Sequence, residues 1–175
     1  MKDLLRQRVA VQDSLIKKLN NQIKLEAQAS AAYLSMAAWC DQQSFDNSAK
    51  FFYAQSAEER THMMKLFHYV SDMGGIAISP SIAASQNEFS SLKEVFEAAL
   101  ESEINVTESI NQIVAECRKI NDFATENFMQ WYVKEQIEEE FVIRRILDYF
   151  ELLGEDPKSL LMIDERINSV SYTQE

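Results

Sequence analysis

The chain has 175 residues, 46% of them apolar, with only three Gly and two Pro. Average usage supplies roughly four times as many of these breakers, so a turn-rich all-β sandwich or barrel is excluded, and the apolar content excludes a disordered chain. A net charge of −11, from 28 acidic and 17 basic residues, argues against nucleic acid, which needs clustered Lys and Arg. It suits cations.

After an N-terminal extension (residues 1–9), helical spacing of Leu15, Leu19, Ile23, Tyr33 and Ala37 predicts a first helix over 8–42. Ser44 is the expected N-cap of a second, over 45–73, carried by Phe45, Ala49, Phe52, Leu66 and Tyr69 and stopped by Gly74-Gly75. Residues 76–90 hold Pro80 and many small polar residues without periodicity. Ser90 or Ser91 then caps a third helix over 91–120, on Leu92, Phe96, Ala99, Val106, Ile110, Ile113 and Cys117. After a break at Asn121-Asp122, Phe128, Tyr132, Ile143, Ile146 and Phe150 predict a fourth helix over 122–153, ended by Gly154. Asp156-Pro157 starts a short fifth over 157–168.

The tight joints make two antiparallel hairpins. The connector at 76–90 can extend about 50 Å, which is the length of a helix of about 33 residues. It therefore predicts an end-to-end crossover within one all-α domain spanning 1–175, a four-helix bundle with one long crossover plus a short fifth helix.

Cys40 and Cys117 have no C-x-x-C spacing and read as core thiols of a reducing compartment. The opening Met-Lys-Asp-Leu-Leu-Arg lacks a signal-peptide pattern. No uncharged run approaches the ~20 residues of a membrane span. The expectation is a cytoplasmic protein with no membrane partner.

The apolar stripes are broken by charge. Glu26 lies between Ile23 and Tyr33, Glu59 and His62 between Phe52 and Leu66, Glu103 between Ala99 and Val106, and Gln136 and Glu139 between Tyr132 and Ile143. Counted from the hairpin turns, these residues come level near mid-bundle. The separation from Glu26 to Glu59, 33 residues, recurs from Glu103 to Gln136. Four buried carboxylates would repel one another, and each costs several kcal/mol unpaired. No Lys or Arg shares their stripes. Multivalent cations resolve this, and carboxylates with one imidazole suit iron or manganese. Charge of −4 balances two divalent ions, and two ferric ions bridged by an oxide leave that balance unchanged.

The set Glu26, Glu59-Arg60-Thr61-His62, Glu103 and Gln136-Ile137-Glu138-Glu139, with flanking Tyr33, Trp39-Cys40 and Trp131-Tyr132, closely resembles the bacterial non-haem ferritins over about residues 10–168. The resemblance implies a ferritin-like bundle with a di-iron ferroxidase centre inside each subunit. Glu26 and His62 hold one iron, Glu59 bridges, and Glu103 and Glu139 hold the second. It further implies Gln136 as a neutral hydrogen-bonding group beside the irons and Tyr33 as a nearby donor of a hydrogen bond or an electron. Glu58, Glu135 and Glu138 correspond to a third adjacent iron site.

Haem is not expected, because Arg60 stands where bacterioferritins place the haem-ligating Met, directly after the bridging Glu. Bacterioferritins and di-iron enzymes also repeat Glu-x-x-His on the fourth helix, where this chain has Glu139. The implied activity is oxidation of Fe(II) to Fe(III) by O2 or H2O2, then ferric mineral deposition within a hollow 24-mer. That is iron storage and detoxification. In that assembly the fifth helix lines a four-fold channel, and Asp122 and Glu126 are candidates for a three-fold cation entrance. The alternative is a di-iron or Fe/Mn oxidase acting on an organic substrate.

Overall fold

The computed structural model describes residues 9 and 11–172 and contains five helices: α1 (Asp13–Gln42), α2 (Asp46–Asp72), α3 (Leu92–Ile120), α4 (Phe123–Leu153) and α5 (Pro157–Ile167). Most of the N-terminal extension lies outside the described residues. The first helix starts at Asp13 rather than at residue 8, and its N-cap, Gln12, makes no side-chain capping bond.

Most helix ends obey local chemistry. Gly74, at φ +82°, follows α2, and the bonds from Gly74 N to Ser71 O (3.0 Å) and Gly75 N to Val70 O (2.9 Å) close a Schellman motif. Ser91 rather than Ser90 caps α3, through Glu94 N (3.1 Å), and the Glu94 carboxylate accepts back from Ser90 N (2.6 Å). Asn121 takes the left-handed conformation between α3 and α4, and Asp122 caps α4 through Thr125 N (3.0 Å).

The start of α2 is different. Ser44 sits at φ +64° and Phe45 occupies the N-cap position, so no local side chain caps the helix. The cap comes from α5. Buried Asp164 accepts from Ser48 N (2.8 Å), Ser48 Oγ (2.6 Å), Asn47 N (3.2 Å) and Asn47 Nδ2 (3.1 Å). A carboxylate at a helix N-terminus satisfies orphan donors and opposes the dipole. Periodicity cannot show such a cap, because its two halves lie more than a hundred residues apart. Asp164→Ala is expected to cost about 2 kcal/mol, a melting drop of ~4–8 °C for a chain of this size. Asp164→Asn should cost less, and an unchanged melting temperature in the alanine variant would refute the cap.

The crossover is pinned to α1 at three heights. Asn20 bonds Ile76 O (2.9 Å) and Ile78 N (2.8 Å), Gln28 bonds Ala83 N (2.8 Å) and O (3.3 Å), and Ser35 Oγ donates to Asn87 Oδ1 (2.7 Å). The order 20, 28, 35 on α1 matches 76, 83, 87 on the crossover, so the two run in the same direction. The connector therefore returns the chain to the end where α2 began, and α3 runs parallel to α2. The structure is the single-crossover bundle that the connector length required.

Packing divides the core in two. One apolar cluster holds Tyr33, Ala37, Phe52, Phe96, Ile143, Phe150 and Ile163. The other holds Leu15, Leu19, Ile23, Leu66, Ile110, Met129 and Tyr132. Along each main helix, Glu26, Glu59 with His62, Glu103, and Gln136 with Glu139 fall between the residues of the two clusters, and all are buried. Cys40 and Cys117 are buried free thiols. Burial pushes their pKa values up to about 12 and about 11, which leaves them protonated and inert.

Candidate metal centre

Four helices each deliver part of this polar layer because a residue three or four positions along a helix keeps the same face. Glu59 and His62 share one face of α2, and Gln136 and Glu139 share one face of α4. Glu26 comes from α1 and Glu103 from α3. Glu26, Glu59 and His62 bring one ligand atom each to within 4.8 Å of one another, and Glu58, His62 and Glu139 do the same.

The first group has the marks of a cation site. Glu26 Oε2 and Glu59 Oε2 are buried with no donor from any other residue, the two carboxyl groups lie close enough to share a proton, and His62 Nδ1 lies 3.4 Å from Glu59 Oε2. Native interiors leave few polar atoms unpaired. Two unpaired carboxylate oxygens beside an imidazole nitrogen form a donor set suited to Fe(II) or another first-row ion. His62 is held for this role from behind. Trp131 and Tyr132 meet its ring edge-on at 5.2 and 6.2 Å, and Tyr132 OH donates to His62 O (2.8 Å).

Glu103 is placed differently. Tyr33 OH donates to its Oε1 and Gln136 Nε2 to its Oε2 (2.9 Å), so both oxygens carry donors. Glu103 is in neither three-residue group, although it faces Glu59 and Glu139 closely enough to raise the pKa of both. Gln136 also donates to Thr107 Oγ1 (3.2 Å), whose hydroxyl donates to Glu140 Oε1 (2.8 Å). Because Thr107 gives its proton to Glu140, it can only accept from Gln136, which keeps the Gln136 amide nitrogen turned toward Glu103.

Burial raises the carboxyl pKa of Glu26, reinforced by Glu59 and opposed by the Gln22 amide. Burial and then Glu103 raise Glu59. Glu139 is raised by burial, then by Glu103 and Glu58. Glu103 is also raised by burial, against the hydrogen bonds of Tyr33 and Gln136. Tyr33, fully buried on Phe52 with ring centroids 5.8 Å apart, is held well above the usual phenol range by burial and by Glu103. Without a cation the cluster favours protonation. Cations replace those protons.

Of the residues assigned to the third site, Glu58 is gathered into the second group, with its Oε2 accepting from Gln55 Nε2 (3.2 Å). Glu135 and Glu138 join neither group, and Glu138 is exposed. At the far end of α3, Glu126 is paired with Arg118 (2.7 Å) and Asp122 is engaged in capping. Gln22 and Gln55 were not read from the sequence as site residues, yet both carried a signal. Each is a buried polar residue on an apolar stripe, one turn from Glu26 and Glu59 respectively.

The Ferritin-like domain family matches residues 16–153. A probable bacterial non-heme ferritin-like protein of Haemophilus influenzae is 44% identical over 159 residues, 91% of this chain and 96% of that protein. A bacterial non-heme ferritin of Escherichia coli is 36% identical over 156 residues, covering 89% and 94%. The open pore ferritin of Archaeoglobus fulgidus superposes with a TM-score of 0.88 at 34% identity, over 93% of this chain and 100% of that one. With this fold, this polar layer and these relatives, the chain belongs to the ferritin-like family, among the bacterial non-haem ferritins.

Proposed function

We propose that this chain stores and detoxifies iron: it binds two Fe(II) ions as substrate at mid-bundle, oxidises them, and passes the ferric product to a mineral held inside a shell of 24 copies. The observation that carries this reading is the pair of unpartnered buried oxygens, Glu26 Oε2 and Glu59 Oε2, beside His62. Glu26 and His62 take one ion, Glu59 bridges, and Glu103 and Glu139 take the other. Each ion gives up one electron to the oxidant, O2 or H2O2.

The protein's part is charge and position. Four carboxylates neutralise two divalent ions in a water-poor layer, which draws Fe(II) from solution without trapping a net charge. Gln136 and Tyr33 hold Glu103 from both sides until a cation competes for it. Glu58, with Glu135 and Glu138, offers the product a third, more open position on the way out. The family's hollow assembly supplies the cavity, with α5 at the four-fold channel. Synthesis and action in the cytoplasm fit two free thiols.

An oxidase acting on an organic substrate needs an apolar cavity that opens on the ligands. The apolar groove of about 470 Å³ between α3 and α4 is lined by Gln136 but by none of Glu26, Glu59, Glu103 or Glu139. The relatives, named as non-heme ferritins, favour storage. Aerobic loading with Fe(II), followed by sizing, tests it. Ferric absorbance should co-elute with a shell-sized particle. Elution as a monomer or dimer, with iron precipitated outside the protein, would contradict it.

A further inference from the structure

Gln22 is fully buried, four residues before Glu26 on α1, among Leu19, Ile23 and the second apolar cluster. Its Nε2 donates to Glu26 Oε1 (3.0 Å), while its own Oε1 has no partner. An unpartnered buried amide oxygen costs about 1–3 kcal/mol, which a Leu or Met of similar size would avoid. Packing alone does not explain this residue.

The bond does explain it. The amide occupies Glu26 Oε1 and leaves Oε2 as the oxygen without a partner, on a side chain that is gathered with Glu59 and His62. Neutral amides also hold Glu58, through Gln55 (3.2 Å), and Glu103, through Gln136 (2.9 Å), although at Glu103 the Tyr33 hydroxyl takes the second oxygen as well. In all three the donor is a neutral amide. Arg or Lys would bond more strongly but would cancel the charge that attracts the cation.

We propose that Gln22 is a positioning residue that restricts Glu26 to binding its cation through one oxygen, Oε2. The inference rests on the iron-binding reading above. Holding a ligand by an outer hydrogen bond is worth about 10–100-fold in metal affinity.

Anaerobic titration of the assembled protein with Co(II), which does not undergo the oxidation, tests the role. Gln22→Met fills the space without a donor, and Gln22→Asn keeps the amide but falls one methylene short. In both, the affinity of the Glu26–Glu59–His62 position should fall about 10-fold. Its visible d–d band should weaken as both Glu26 oxygens close on the ion and the coordination number rises. The second position and the elution volume should stay at wild-type values. In a Glu26→Ala background, Gln22→Met should change nothing further. Wild-type affinity and band in both variants, an equal loss in the Glu26→Ala background, or failure of both variants to assemble would overturn the role. Absence of Co(II) binding by the wild-type protein would instead overturn the iron-binding reading beneath it.

Discussion

Glu59→Ala is expected to slow Fe(II) oxidation by about 100-fold or more, while leaving the assembled protein intact. In the proposed assignment Glu59 is the carboxylate common to both ions. It shares a ligand group with Glu26 and His62, and Glu103 and Glu139 both repel its charge. Without it the two ions of the proposed site would lose their common ligand and the spacing that lets one oxidant draw on both. Positioning losses of this kind typically amount to several kcal/mol of barrier. Folding should not suffer, because the substitution removes a buried carboxylate whose Oε2 has no partner. Stopped-flow absorbance after mixing Fe(II) protein with O2 measures the rate. Oxidation within threefold of wild type would refute the bridging role.

Divalent-metal affinity is expected to fall steeply with acidification, by about tenfold per pH unit for each proton that the cation displaces. Burial and mutual repulsion hold Glu26, Glu59 and Glu139 above the ordinary value of 4.5. Cations must therefore remove protons that these groups retain. The same shifts set the stability of the metal-free protein. Between the unfolded carboxylate value and the raised native one, the native state binds more protons than the unfolded state. Stability supplied by the cluster is thus fully present below the unfolded value and is lost as pH rises through the native one. Glu26→Gln and Glu139→Gln should then raise the melting temperature of the metal-free protein at pH 7 while weakening metal binding, and Co(II) should raise the wild-type melting temperature. Chelator competition across pH 5.5–7.5 and thermal melts check both arms. A pH-independent affinity, or glutamine variants that melt lower, would contradict the prediction.

The polar layer was legible because an α-helix reports its buried face through spacing alone. Glu26, Glu59, Glu103 and Glu139 each stood at an apolar position, and hairpin counting levelled them. The crossover was legible from chain length. What was not legible depended on contacts between distant segments. Asp164 capping α2 needs the docking of α5, and the double hold on Glu103 by Tyr33 and Gln136 needs three helices in register. Ser44 looked like a cap because serine favours that position, but the tight α1–α2 joint puts it at positive φ and moves the helix start beyond it. Gln22 and Gln55 show a subtler limit. Their spacing places them on the buried face, but only the folded contacts show which carboxylate oxygens their amides bond.

The most direct measurement is an anaerobic titration with Fe(II) followed by admission of O2. The arrangement of Glu26, Glu59, His62, Glu103 and Glu139 predicts about two tight equivalents per chain, one for each pair of carboxylate charges, and rapid oxidation of both when O2 enters. No tight binding, or binding without oxidation faster than that of free Fe(II) in the same buffer, would contradict it.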